Sequence, residues 1–162
     1  MNLISFYLPI VLILVVVGLI ALVVKFFEKS PEKLPYQKKN YLLSVAEKLF
    51  FDTLRLAVNE RYYIFSQVNL DKIIYVEKGT DNYLSYYRKM NQYSVDFLLC
   101  DKNDISPILA IELDDSSHKS EKRKERDRFV NQALNDAGIK ILRIPCRSKY
   151  SVEELDREIT TN

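Results

Sequence analysis

Residues 93–113 read YSVDFLLCDKNDISPILAIEL, and their reading decides the fold. Tyr93–Cys100 (YSVDFLLC) and Ile108–Leu113 (ILAIEL) are apolar runs of strand length, rich in branched and aromatic side chains. The connection DKNDISP supplies Asp, Asn, Ser and Pro, each suited to a turn for its own conformational reason. Two such runs around such a connection predict an antiparallel hairpin. Each run also carries an acid where a buried strand should have none: Asp96 in the first, Glu112 between Ile111 and Leu113 in the second, and Asp114 two residues on.

Toward the C-terminus, Lys119–Ala137 has helical periodicity, with Phe129, Val130, Ala133, Leu134 and Ala137 as the inward face and Gly138 as the stop. Ile139–Ile144 (IKILRI) is a further strand. A strand–helix–strand crossover predicts that this strand runs parallel to Ile108–Leu113. Ser151-Val152-Glu153-Glu154 is a capping box opening a short closing helix.

Upstream, Ser44-Val45-Ala46-Glu47 is another capping box, and Leu49, Phe50, Leu54, Ala57 and Val58 continue a helix to about Asn59. Tyr62–Val68 reads as a strand, Leu70–Val76 as a short helix broken by Lys78-Gly79, and Tyr83–Met90 as another short helix. The order helix, strand, hairpin, helix, strand places the domain in the α/β class, as a mixed sheet flanked by helices.

Met1–Val24 carries no charged side chain, and LPIVLILVVVGLIALVV within it is almost wholly Leu, Ile and Val. About 20 residues span the hydrocarbon of a bilayer, so Leu3–Val24 predicts one transmembrane helix. A cleaved signal peptide would need a basic start, a shorter apolar stretch and a small-residue cleavage site. This segment instead exits through Val24-Lys25-Phe26-Phe27. Lys25, Lys29, Lys33, Lys38 and Lys39 follow it, so the positive-inside rule predicts a single-pass protein of the cell's inner (plasma) membrane with its C-terminal part cytoplasmic. Residues 25–40, with Pro31 and Pro35, read as a juxtamembrane linker whose lysines suit topology, solubility and anionic headgroups. Residues 41–162 are the domain.

Two cysteines without paired spacing and one histidine exclude a disulfide framework and a conventional structural zinc site. A net charge of +2, from 24 basic and 22 acidic side chains, describes a mixed-charge surface rather than a basic nucleic-acid-binding tail.

Alternation puts Ala110, Glu112 and Asp114 on one face of their strand, and the hairpin brings Asp96 onto the neighbouring one. Burying ionised carboxylates costs several kcal/mol each unless they are paired or bind metal. Convergent carboxylates suit a hard divalent cation, Mg²⁺ above all, which can polarise a phosphodiester and activate water. The plainer alternative pairs Asp96 with Arg126, Arg128 or Arg143 and leaves Asp114 as the polar exit of the strand.

VDFLLCD, AIELDDSSH and ERDRFVNQALNDAGIKILRI together resemble the domain of unknown function 2726 family. That family resembles the PD-(D/E)xK nuclease-like superfamily, especially its very-short-patch repair endonuclease-like branch. The resemblance covers roughly residues 42–144 and implies a restriction-endonuclease-like sheet. It implies that Asp96 and Glu112 are metal-binding and catalytic, with Glu112 the acid of the (D/E)xK element. It adds Glu47 as an acid of the first helix, which also has its capping role. His118 becomes a proton carrier or phosphate contact. Arg126, Asp127 and Arg128 match an Arg-Asp helix that contacts nucleic acid or pairs with carboxylates, and Arg143 supports the acids from the last strand. Asp114 stands where the element has its Lys. That Lys stabilises developing negative charge, which an Asp cannot do.

The expectation is a membrane-anchored nuclease-like domain with catalytic Asp96, Glu112, Asp114 and His118 and a divalent metal, acting on DNA or RNA. The alternative is an inactive module of the same fold that binds nucleic acid or a protein partner at the bilayer. Tyr83, Tyr86, Tyr87 and Arg88 mix aromatic and basic side chains as stacking surfaces do, and core tyrosines would look the same.

Overall fold

The computed structural model describes residues 3–27, 33–114 and 120–161. Two compact units are present, Met1–Asn40 and Tyr41–Asn162. In the first, α1 (Leu3–Phe27) is one continuous helix with Pro9 near its start. It is long and apolar enough to cross a membrane, and it runs three residues beyond the uncharged stretch ending at Val24, through Lys25 to Phe27. Helical hydrogen bonding does not stop where the hydrocarbon does, and a lysine near the end can reach for the interface.

In the second unit, α2 (Val45–Val58) starts at the capping box foreseen at Ser44 and ends on Asn59 in the left-handed conformation. There follow β1 (Tyr63–Asn69), a 3₁₀ turn (Leu70–Lys72), α3 (Tyr83–Met90), β2 (Ser94–Cys100), β3 (Pro107–Asp114), α4 (Glu121–Asp136), β4 (Lys140–Pro145) and α5 (Val152–Thr161). The helix expected over Leu70–Val76 is only this 3₁₀ turn: Leu70 is fully buried and Ile73, Ile74 and Val76 pack against the same core, but so short a segment closes too few helical hydrogen bonds to offset nucleation.

The sheet order is β1-β2-β3-β4. The first three strands are antiparallel neighbours, and β4 joins β3 in parallel, as the crossover rule requires. One face packs under α2 and α5, with Phe50, Leu54, Phe97, Ile111, Leu113, Ile144, Leu155 and Ile159 in a single cluster. The other lies under the 3₁₀ turn, α3 and α4, with Leu70, Met90, Leu98, Ala110, Val130 and Leu134. Of the inward face foreseen for α4, Val130 and Leu134 are fully buried, while Ala137 is exposed at the helix end. Gly138 then turns the chain with a φ of +76°.

At the start of α5, Ser151 accepts from the Glu154 amide, but the reciprocal half of the box is replaced. The Ser151 hydroxyl donates to Glu153, and Glu154 takes the Arg147 guanidinium instead.

Candidate functional site

Asp96 is the position at which the sheet opens. The β1–β2 ladder pairs Ser66 with Phe97 and Val68 with Val95, and passes over Gln67 and Asp96 between them. Gln67 has a φ of +55°, a left-handed backbone that takes it out of the ladder. On the other side the β2–β3 ladder ends at Phe97–Ile111. One step further along that register, Asp96 faces Glu112. The Leu113 amide, next in line for a backbone partner, donates instead to Asp96 Oδ2 at 2.8 Å. A side-chain carboxylate thus takes the place of a main-chain acceptor, fixing Asp96 where the strands part.

Among the described residues Glu112 is the one buried charged side chain, 3 % exposed, and in the β3–β4 register it stands opposite Arg143. Its Oε1 lies 3.3 Å from Arg126, whose guanidinium also donates to the Ser94 carbonyl at 3.0 Å and reaches Asp127. Burial pushes the Glu112 carboxyl up to about 7; Arg126 opposes that shift and the Asp96 charge adds to it. Burial likewise raises Asp96, against the Leu113 hydrogen bond, and Glu47 adds like-charge repulsion. Two carboxyl groups that each resist ionisation, both chiefly through burial and Glu112 also through the Asp96 charge, share one spot.

The surroundings complete the constellation. Glu47 closes the α2 capping box through Ser44 and accepts from the Gln67 side-chain Nε2 at 2.9 Å, so its capping role and its place beside Asp96 coexist. Arg143 binds Asp114 at 3.0 Å and Asn131 at 2.9 Å, and lies 3.7 Å from Asp127. Asp114 therefore carries a guanidinium beside it. Ser44, Glu47, Asp96, Glu112, Arg123, Arg126 and Cys146 line a cleft of about 240 Å³. Arg128 is exposed on α4 and is not among the residues lining this cleft. His118 lies outside the described residues. Gln67, Asn131, Arg123 and Cys146 were not anticipated as site residues. Cys146 follows from the parallel register, which sets Asp114 beside Pro145 and so delivers the next residue to the same end. Gln67 has no sequence signal, since its place depends on a kink.

Residues 39–162 match the family described as Protein of unknown function (DUF2726). The chain belongs to that family. No curated protein matches it, and no solved structure does.

Among the described residues, no group of three or more His, Cys, Asp or Glu side chains is arranged to hold a metal ion. The Asp96–Glu112 pair offers two oxygen ligands. Magnesium, which keeps several waters and is commonly held by one or two carboxylates plus phosphate oxygens, fits such a pair.

Proposed function

We propose that residues 41–162 form a metal-dependent nuclease-like domain of the PD-(D/E)xK type, tethered by α1 to a membrane with the domain on its cytoplasmic side. The supporting observation is the Asp96–Glu112 pair: two acids with raised carboxyl pKa values, side by side where the sheet opens beside a polar cleft. Both would hold a divalent cation, whose positive charge would relieve their repulsion. The cation supplies phosphodiester polarisation and water activation. Arg123, on the cleft wall, provides a guanidinium for a phosphate oxygen. Arg126 and Arg143 hold Glu112 and Asp114 in position. With Asp114 in the lysine position, Arg143 brings the nearby positive charge that the side chain at 114 does not.

The full chain in detergent micelles should cleave DNA or RNA with Mg²⁺ or Mn²⁺. Glu112→Ala and Asp96→Ala should abolish cleavage while leaving the circular dichroism spectrum unchanged. Absence of cleavage on single- and double-stranded substrates, with no Mg²⁺ or Mn²⁺ binding by calorimetry, overturns the reading.

A specific observation favours a second reading, a binding module without chemistry: Arg126 already sits on Glu112, as a resident cation would. That reading predicts nucleic-acid or protein binding that persists in Glu112→Ala and needs no metal.

A further inference from the structure

A second cleft, of about 440 Å³, lies between α3, the segment after the 3₁₀ turn, and α4. The reaction proposed above makes no use of it. Its walls include the rings of Tyr75, Tyr86 and Phe129, together with Lys89, Gln132 and Asp136. Tyr75 is 85 % and Tyr86 54 % exposed, so their rings are not spent on the core. The Lys89 ammonium stands 4.6 Å over the Phe129 ring. A concave cleft with open aromatic rings and a few polar groups is the usual form of a small-ligand site.

The cleft is tied to the carboxylate pair by both of its helices. On α4, Arg126, Phe129, Ala133 and Asp136 follow helical spacing along one stripe. The stripe starts at the guanidinium on Glu112 and reaches Phe129 after about 4.5 Å of helix axis, and Ala133 after about 10.5 Å. On the other side, α3 runs through Asn91–Tyr93 directly into β2, where Asp96 lies, and Tyr93 packs against Phe129 at 5.6 Å.

The chemistry of the walls selects the occupant. Aromatic rings stack on the faces of bases, and a cation beside them suits the phosphate that each base carries. Gln132 and Asp136 add an amide and a carboxylate, which recognise base edges; a carboxylate accepts from an amino group and would repel a phosphate. A base in a duplex has its faces covered by its neighbours, so only an unpaired base can enter. We infer that this cleft binds an unpaired nucleobase of a single-stranded nucleic acid whose backbone passes the Asp96–Glu112 pair. The inference rests on the nuclease-fold reading and narrows its substrate class to single strands.

The test uses the full chain in micelles and a short fluorescein-labelled oligothymidylate, followed by fluorescence anisotropy. The single strand should bind more tightly than a hairpin duplex of equal length. Tyr86→Ala and Tyr75→Ala should each weaken binding by between about fivefold and a hundredfold, the range for losing one stacked base, whereas Tyr86→Phe should keep it. An oligonucleotide carrying 5-iodouridine should photocross-link to Tyr75, Tyr86 or Phe129. Equal affinity for duplex, unaltered binding by both alanine variants, cross-links confined elsewhere, or no oligonucleotide binding (as for a cleft that serves a peptide partner) would each overturn the inference. The two proposals fail separately. Single-strand binding with the expected variant pattern, but no cleavage, removes the hydrolysis and leaves the cleft. Cleavage of duplexes, undiminished in Tyr86→Ala, removes the cleft and leaves the hydrolysis.

Discussion

Replacing Glu112 with glutamine should make the protein more stable at alkaline pH. In the folded chain the Glu112 carboxyl is raised from 4.5 to about 7, chiefly by burial. Between those values the folded state holds a proton that the unfolded state has released. Stability is therefore highest at the acidic end of the window, falls as pH rises through it, and levels off above about 7. The raised value corresponds to ~3 kcal/mol lost across the window, at about 1.4 kcal/mol per pH unit. Asp96 shifts in the same direction and adds to the slope with the same sign. Glutamine imitates the neutral acid in size and cannot ionise, so Glu112→Gln should match the wild type near pH 4.5 and exceed it by up to ~3 kcal/mol near pH 8. In a domain of this size that is a Tm difference of about 10 °C. The chain has no tryptophan and eleven tyrosines, so near-ultraviolet circular dichroism of tyrosine during urea unfolding in micelles is a suitable assay. Added Mg²⁺ should stabilise the wild type at pH 8 and leave Glu112→Gln unchanged. A wild-type stability that is flat across the window, or a glutamine gain equal at both ends, would refute the reasoning, because either outcome means that the carboxylate ionises without cost.

Leu54 is fully buried between the sheet and α5, and Leu54→Ala should cost about 2–5 kcal/mol in the same urea assay. Ser44→Ala removes the acceptor for the Glu47 amide and should cost about 1 kcal/mol, while loosening Glu47 beside Asp96. Cys146 is exposed and Cys100 is buried with its thiol pushed up by burial. Ellman's reagent should therefore titrate one thiol in the folded protein and the second only in urea, and Cys146→Ser should remove the fast one.

The sheet was legible in the sequence wherever side-chain pattern alone determines it. The hairpin, the crossover to a parallel β4, the capped start of α2 and the Tyr83–Met90 helix all follow from apolar runs, turn residues and caps. Asp96 and Glu112 stood out because ionisable groups in buried strands demand a partner. What could not be read was set by geometry that periodicity does not encode. The Gln67 kink depends on the pairing of β1 with β2, and the Leu113–Asp96 bond exists because the ladder stops one residue earlier. The guanidinium contacts were open among three arginines, and only packing assigns Arg126 to Glu112 and Arg143 to Asp114, with Arg128 left on the surface. The second cleft was equally hidden, since tyrosines of a core and tyrosines of a wall have the same spacing.

The left-handed residue at Gln67 has a consequence away from the chemistry. β1 lies at the edge of the sheet, and Tyr63 and Phe65 on it are half exposed. An edge of this kind, with unpaired backbone groups and apolar side chains, is a template on which another chain can add a strand. α1 is long and apolar enough to cross a membrane, and a chain held at a membrane as proposed would meet its own copies at high effective concentration, where such templating is most dangerous. The kink interrupts the edge after Ser66, so an incoming strand would find only a short straight stretch to pair with. The irregularity that frees Asp96 from its ladder also shortens the straight edge open to an added strand.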